Sequence, residues 1–318
     1  MSNSATSPPV YLGVDVAKAT LDAACSEQQF AAIPNNPEGH LQLLAQASQL
    51  FPGSPMHLVC EATGGYEQAL VRSATAAGWK VSVVSPSRVR HFAKACGLLA
   101  KTDAIDAKLI LQFAETVQPL ALQEFPSWTK DLQDLVSLKQ QIKVHLTALS
   151  NQLEIVSCKK ARAAITRLGK AHQNEIAATD KLIVALIATH PELAQNVERL
   201  SAIEGIGQAT AAAILALMPE LGKIGDKQAA ALAGLAPYNR DSGPCKGQRS
   251  ISGGRSKLRA LLYMPALTAI RCNPILKPFY KGLRDRGKKA LVAITAVMRK
   301  LITLCNRLLS DPNFSLAH

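Results

Sequence analysis

Two carboxylates stand three residues apart in the segment KTDAIDA, at Asp103 and Asp106. Apolar residues around them recur at helical spacing: Leu98, Leu99, Ile105, Leu109, Ile110 and Phe113. Residues three apart on a helix lie on one face, so both carboxylates would point at the same spot. A divalent cation between two such acids would offset their mutual repulsion. The other interpretation of this segment alone is a solvated acidic face beside Lys101 and Lys108.

Two apolar segments elsewhere in the chain also end in a carboxylate. Residues 10–16, VYLGVDV, have the β-branched character of a buried strand, and Asp15 lies near its end. Residues 56–61, MHLVCE, form a second such segment that ends at Glu61. A single acid at a strand end is usually a capping or turn residue, but two strands that end alike indicate a shared site. Asp15 and Glu61 are therefore further candidate ligands of the same metal.

The order of elements around these acids predicts how they would be brought together. A three-stranded meander precedes strand–helix units, which is the order of a ribonuclease H-like fold. Strands are predicted at 10–16, 20–25, 30–34, 56–61 and 81–85, with helices over 37–50 and 66–77 and after Pro86. In that fold the first and fourth strands are neighbours at the sheet centre, and a later helix crosses nearby. The four carboxylates would then meet at one sheet edge, where they suit two Mg²⁺ or Mn²⁺ ions about 4 Å apart.

The segments GVDVAK, CEATGGYE and KTDAIDA, in this order and spacing, resemble the three acidic motifs of the DEDD-type insertion-sequence transposases. The N-terminal domain of that family is similar to Holliday-junction resolvases of the RuvC type. The resemblance implies a DNA transposase or recombinase whose catalytic metal ligands are Asp15, Glu61, Asp103 and Asp106. It also implies double-stranded DNA as a partner, a structured noncoding guide RNA, and a homo-oligomer, either a dimer or a tetramer.

The basic charge of the chain lies mainly in its second half. The 318 residues carry a formal charge of +13, which indicates a polyanionic partner, nucleic acid before a membrane surface. From Arg240 to Lys300 there are fifteen basic residues and only two acids, Asp241 and Asp285. A phosphodiester enzyme needs both a metal site and a surface that holds the nucleic-acid backbone. The predicted nucleic-acid contacts are Gly205, Gly207, Arg240, Lys246, Arg249, Arg255, Lys257, Arg259, Lys288 and Lys289.

Composition argues against several other classes of protein. No apolar run approaches the length that spans a bilayer, and the N-terminal MSNSATSPPV lacks the features of a signal peptide. Seven cysteines are scattered without CxxC spacing, which argues against a disulfide scaffold and against a zinc site. The expectation is a cytoplasmic, nucleoid-associated protein of bacterial type with no membrane partner.

A long amphipathic segment follows the predicted catalytic domain. Between Thr129 and Arg167, a stretch without Gly or Pro, apolar residues recur at three- and four-residue steps: Leu135, Leu138, Ile142, Leu146, Leu149, Leu153 and Val156. The pattern predicts one long helix there and a second from His172 to Thr189. Two such helices can form a hairpin within the chain or a coiled coil between protomers. The pattern does not separate these alternatives, whereas the family resemblance favours the coiled coil between protomers.

The segment IEGIGQATAAA resembles a helix-hairpin-helix motif, with Gly205 and Gly207 ahead of a helix of small residues. Such glycines let backbone N–H groups meet a phosphate at the start of a helix. A tight turn between two helices is the alternative for so short a motif. The basic stretch downstream supports phosphate binding.

Residues 237–254 form a loop rich in glycine and serine and studded with basic residues. In such a loop a serine is ordinarily a turn residue. By resemblance, however, Ser242 in the DSG segment is similar to the catalytic serine of the family, which attacks the DNA phosphate and forms a covalent phosphoserine link. Ser250 and Ser252 are the fallback candidates. Since no histidine lies close in sequence to Ser242, activation is expected from a metal held by the four acids, in a composite active site.

The chain is thus predicted to be α/β in its N-terminal part and mainly helical after it. The expected divisions are a RuvC-like catalytic domain over 8–120, a helical coiled-coil segment over 126–192 and a C-terminal transposase domain over 196–310. The expected reaction is cleavage and strand exchange of an insertion sequence with a serine nucleophile. Two alternatives stay open: a resolvase-type, structure-selective nuclease that uses only the acids and water, and a nucleic-acid-binding scaffold without catalysis.

Overall fold

The computed structural model describes residues 8–97, 103–122, 125–238 and 250–314, except for the side chains of Ala31 and of residues 103–106. The chain divides into two compact units, Met1–Glu124 and Phe125–His318. The first unit holds a mixed sheet with helices, and the second is mainly helical. This is the mixed α/β and α-helical character that the sequence predicts.

A five-stranded sheet forms the centre of the first unit. Its strands are β1 (Val10–Val16), β2 (Thr20–Ala24), β3 (Gln29–Pro34), β4 (Met56–Glu61) and β5 (Lys80–Val84), in the spatial order β3-β2-β1-β4-β5. β1, β2 and β3 pair antiparallel, whereas β4 and β5 run parallel to β1. The helices are α1 (Pro37–Leu50), α2 (Gln68–Ala76), α3 (Pro86–Ala95) and α4 (Asp103–Val117). The predicted meander and the central β1–β4 pair are confirmed, and the arrangement is consistent with a RuvC-like domain.

The side chains of the sheet alternate between two cores. On one face, Leu12 and Val14 pack with residues of α1 and α2, because alternate residues of a strand point to the same side. On the other face, Val59 and Val84 pack with residues of α3 and α4, among them Ile110. The sheet is therefore covered by α1 and α2 on one side and by α3 and α4 on the other.

Gly13 sets how closely α4 approaches β1. A Cβ atom built on Gly13 would lie 2.7 Å from the carbonyl oxygen of Ala107 and 2.9 Å from the Cα of Leu111. A real side chain cannot approach backbone atoms so closely, so only glycine lets α4 cross β1 at this point. The glycine of the GVDVAK segment therefore fixes the position of the helix that begins at Asp103.

A helical hairpin opens the second unit. It consists of α5 (Trp128–Ile155) and α6 (Lys159–Thr189), which pack along their lengths. Along the pair, Ile142, Ile165 and Ile183 are buried, whereas Leu138 of the predicted apolar repeat is exposed. The hairpin within the chain, one of the two alternatives, is therefore present. The coiled coil between protomers through this segment stays a prediction.

The turn between α5 and α6 comes earlier than predicted. It lies at residues 156–158, so the second helix begins well before His172, where the sequence predicted its start. No Gly or Pro marks this turn. Instead, the Arg162 guanidinium donates to the carbonyl oxygens of Leu153 (2.5 Å) and Val156 (2.9 Å). A side chain thus supplies hydrogen bonds to carbonyls that a helix end leaves without partners.

The remaining elements of the second unit are α7 (Pro191–Ser201), α8 (Gln208–Leu217), α9 (Asp226–Leu232), β6 (Pro237–Tyr238), β7 (Ser250–Ile251), α10 (Ser256–Cys272), α11 (Leu276–Asp285) and α12 (Ala290–Ser310). The helices α7, α9, α10 and α11 pack against α12, whose Val297, Leu301 and Cys305 are fully buried. The cysteines that the structure describes are all free thiols, and burial raises the pKa of Cys305 to about 12. Among the described helices, none is long and apolar enough to cross a membrane.

Candidate active site and nucleic-acid interface

Asp15 and Glu61 lie side by side at the ends of two neighbouring strands. β1 and β4 pair in parallel register through Val14 and Cys60, so the next pair along the ladder is Asp15 and Glu61. Val14 and Cys60 face the core under α1 and α2, and their neighbours therefore point to the opposite face. Adjacent strands lie about 4.8 Å apart, and both acids are half-buried. Two carboxylates thus share one edge and one face of the sheet.

The face that carries these acids is also the one that α4 crosses. Ala107 and Leu111 of α4 are buried there against Ala24 of β2. Asp103 begins α4 and Asp106 directly precedes Ala107, so the first turn of α4 lies next to its contact with Gly13. The side chains of both acids lie outside the described residues. Among the side chains that are described, no three His, Cys, Asp or Glu residues form a metal-binding group, so the quartet stays a prediction.

A third acid, Asp22, stands opposite Asp15 on β2 and was not predicted as part of the site. The two residues are register partners, and the alternation of β2 points Asp22 to the α4 face. Its Oδ1 accepts a hydrogen bond of 2.8 Å from the backbone N–H of Ala32, which has φ +54° beside an irregularity of the β2–β3 ladder. Asp22 therefore stabilises a bulge between β2 and β3. The alternation of side chains along TLDAA is the signal from which the face of the sheet that Asp22 occupies could have been predicted.

The loop after Glu61 is held by the carboxylate of Glu67. Its Oε2 accepts hydrogen bonds from the Thr63 backbone N–H (3.1 Å), the Thr63 hydroxyl (2.9 Å) and the Gly65 backbone N–H (2.9 Å). Burial alone raises the pKa of Glu67, but the hydrogen bonds outweigh it, so the pKa lies below its ordinary value. Gly64 and Gly65 have φ values of +79° and +122°, which other residues rarely adopt.

Asn35 joins the loops that follow the two acidic strands. Its Nδ2 donates to the carbonyl oxygen of Ala17 (2.8 Å), two residues after Asp15, and to that of Tyr66 (3.3 Å). Its Oδ1 lies 2.7 Å from Nε2 of His40. His40 is buried, and desolvation followed by the charge of Arg72 lowers its pKa. A neutral ring with its proton on Nε2 donates to Asn35.

The predicted phosphate-binding glycines have different surroundings. Gly205 has φ +109°, and a Cβ there would lie 2.9 Å from the carbonyl oxygen of Pro265 and 3.0 Å from the Cβ of Ala269. Close packing against α10 therefore accounts for Gly205. Gly207 precedes α8, and a Cβ there would meet nothing within 4 Å. Of the two, only Gly207 has open space in front of a helix start.

Some of the basic residues predicted to contact nucleic acid form hydrogen bonds or ion pairs within the protein, and others are exposed. Arg255 forms an ion pair with Glu220 (2.5 Å) and donates to the carbonyl oxygen of Leu217 (2.9 Å). Arg259 donates to the carbonyl oxygen of Gly253 (2.9 Å). The side chains of Lys257, Lys288 and Lys289 are exposed. Four predicted residues lie outside the described part of the chain: Arg240, Ser242, Lys246 and Arg249.

Two family models match the chain. A model of DEDD transposases of the IS110 type matches residues 12–156, and the model of the transposase IS116/IS110/IS902 family matches residues 197–281. The first range contains β4, α4 and most of β1, and the second contains α8 to α10. The matches therefore include the strands that carry Asp15 and Glu61 and the larger part of the basic stretch.

Two curated relatives cover nearly the whole chain, and a third covers about half of it. Pilin gene-inverting proteins of Moraxella lacunata and Moraxella bovis are each 30% identical, over 92% of this chain and 94% of the relative. An uncharacterized 42 kDa protein of the insertion element IS900 of Mycobacterium paratuberculosis is 31% identical, over 48% of this chain and 38% of the relative.

Proposed function

The chain belongs to the IS110 family of DEDD transposases, and on this premise we propose that it cleaves and exchanges the DNA strands at the ends of an insertion sequence. It is a DNA transposase or recombinase by family. The relatives named for inverting a pilin gene support a reaction that rejoins strands as well as cutting them. The observation that carries the proposal is the register of β1 and β4, which puts Asp15 beside Glu61 on the face that α4 crosses.

The DEDD family implies dependence on a divalent metal, and the donor chemistry of the site fits one. Asp15 and Glu61 offer carboxylate oxygens on one face of the sheet. We propose that Asp103 and Asp106 complete the set and that the ion is Mg²⁺ or Mn²⁺, because these hard cations prefer oxygen ligands. A bound ion of this kind activates a hydroxyl and stabilises the departing oxygen of a phosphodiester.

Ser242 is the proposed nucleophile. Its hydroxyl oxygen would bond to the phosphorus while the bond from phosphorus to the oxygen of one strand end breaks. The serine hydroxyl gives up its proton to a base or to solvent, and the departing strand-end oxygen takes up a proton to become a free hydroxyl. The phosphoserine link keeps the phosphodiester bond energy, so a new strand end can displace the serine and reseal the DNA. This assignment rests on the family resemblance of the DSG segment.

The finer features of the proposal follow the same family. We propose a helix-hairpin-helix contact through Gly207 at the start of α8, a noncoding RNA that guides the choice of DNA, and a dimer or tetramer. The exposed Lys257, Lys288 and Lys289 would contact phosphates. The divisions at 8–120, 126–192 and 196–310 are kept as part of this proposal.

Metal-dependent strand cleavage tests the proposal. The purified protein would be incubated with DNA that carries the element's ends, with the flanking transcript and with Mg²⁺ or Mn²⁺. We expect cleavage by the wild type, and its loss in Asp15→Asn and Glu61→Gln with DNA binding retained. Glu27→Gln is the matched control, because it neutralises an exposed acid of the same unit in the turn between β2 and β3. Cleavage that survives Asp15→Asn would refute the proposed site, and binding without any cleavage would favour the scaffold.

A further inference from the structure

A cavity of about 560 Å³ lies within the second unit, between the α5–α6 hairpin and the pair α8 and α10. Its apolar wall includes Ile183, Leu217 and Leu261. Its volume falls in the range of small-molecule sites, about 300–1,000 Å³, and is far larger than a single anion requires. The cavity therefore fits a unit with both an apolar and a charged part.

Lysines from two different elements line this cavity. Lys139 and Lys143 stand one turn apart on α5, and Lys257 lies at the start of α10. Lys139 forms an ion pair with Asp180 of α6, another lining residue, and is thereby held in the wall. Among the described residues, Lys143 and Lys257 form no ion pair, and both are exposed. The cavity thus has an excess of positive charge.

Two helix starts add to this charge. Thr210 lines the cavity from the first turn of α8, and Ser256 lines it from the first residue of α10. The first N–H groups of a helix lack intrahelical acceptors and carry partial positive charge. Gly207 and Arg255 precede these helices, and no side-chain hydrogen bond from either residue caps the helix start. The lysines and the enclosed volume define the site, and these dipoles reinforce its preference for an anion.

We propose that this cavity binds one nucleotide unit of a nucleic-acid strand, with its phosphate at Lys143 and Lys257 and its sugar and base against the wall formed by Leu217 and Leu261. No aromatic side chain is among the described residues that line the cavity, so apolar contact and not stacking would hold the base. The inference deepens the proposed function, on which it rests for the nucleic acid itself.

Binding assays with full-length protein test this site apart from catalysis. The probes are a fluorescein-labelled DNA oligonucleotide and an RNA of the same sequence, titrated by anisotropy at several salt concentrations. Lys143→Ala and Lys257→Ala should each weaken binding about fivefold and lower the salt slope by about 0.7–0.9. Ala260→Phe fills the cavity from an exposed lining position and should weaken binding with no change of charge.

Lys170→Ala is the matched control, because it removes the same charge from an exposed position of α6 outside the cavity lining. We expect a change of less than about twofold. An equal effect of Lys143→Ala and Lys170→Ala on binding, or unchanged binding by Ala260→Phe, would refute nucleotide binding in the cavity. Either result would leave the proposed function intact. The probe, DNA or RNA, whose binding the cavity variants weaken is the occupant of the cavity. A wild type that binds neither probe would refute the proposed function itself.

Discussion

Asn35 and His40 are joined by a hydrogen bond of 2.7 Å between Oδ1 and Nε2, and this bond orients the Asn35 amide toward two loops. The amide then reaches the carbonyl oxygens of Ala17 and Tyr66. These loops follow β1 and β4, the strands that carry Asp15 and Glu61. One polar side chain therefore ties together the backbone on both sides of the proposed metal site.

Asn35→Ala should weaken metal binding more than it weakens the fold. Residues that orient ligands from behind typically contribute about 10–100-fold to metal affinity or activity, so the Mn²⁺ concentration that half-saturates cleavage should rise about tenfold. Asn36→Ala is the matched control, since the Asn36 side chain accepts from the Gly39 backbone N–H and caps α1. Its loss costs about 1 kcal/mol of stability. Equal Mn²⁺ requirements in the two variants would argue against a role of Asn35 in holding the metal site.

Gly13→Ala should displace α4 and abolish cleavage. The added methyl group would overlap the backbone of Ala107 and Leu111, and overpacking of this kind costs about 1–3 kcal/mol. Gly169→Ala offers a control of opposite sign, because it lies within α6 and its nearest neighbour is the Leu146 side chain at 3.8 Å. There, alanine should raise the free energy of unfolding by roughly 0.5–1 kcal/mol. Urea unfolding measures both changes, and a stable, active Gly13→Ala variant would contradict the packing account.

Glu67 should make the stability of the fold depend on pH in the acidic range. Its pKa in the folded protein lies below the unfolded value of about 4.3, because the carboxylate accepts hydrogen bonds from Thr63 and Gly65. The stabilisation is therefore present above the unfolded pKa and is lost as the pH falls through the folded pKa. Glu67→Gln should lower the free energy of unfolding by roughly 1–2 kcal/mol at neutral pH and by less in acid. Urea unfolding across this pH range, with exposed Glu27→Gln as the control, checks the sign; a constant difference would contradict it.

Arg255 should act mainly in folding, and Lys257 mainly in binding. Arg255→Ala leaves the partly buried Glu220 without its ion-pair partner and should cost about 1–3 kcal/mol in thermal or urea unfolding. Hydrogen bonding and the charge of Arg255 outweigh burial and hold the pKa of Glu220 below its usual range. Lys257→Ala should leave the fold unchanged and weaken binding of nucleic acid. Unchanged stability of Arg255→Ala, together with weaker binding, would instead make Arg255 a phosphate contact.

The acidic strands could be predicted from sequence because their patterns are local. Asp15 and Glu61 each end an apolar run, and the order of elements then predicts that the runs are neighbours. Asn35 gives no such signal, since its backbone partners lie 18 and 31 residues away along the chain. The turn between α5 and α6 escaped prediction for a related reason. An arginine from the next helix supplies its hydrogen bonds, so neither Gly nor Pro marks it.

Covalent capture of DNA tests the central claim most directly. The protein would be incubated with labelled DNA of the element's ends, the flanking transcript and Mg²⁺, and then analysed under denaturing conditions for protein linked to DNA. The account predicts an adduct with the wild type and with Ser252→Ala, and none with Ser242→Ala or Asp15→Asn. Cleavage without an adduct, lost in Asp15→Asn but retained in Ser242→Ala, would contradict the serine mechanism and make the protein a nuclease that uses water.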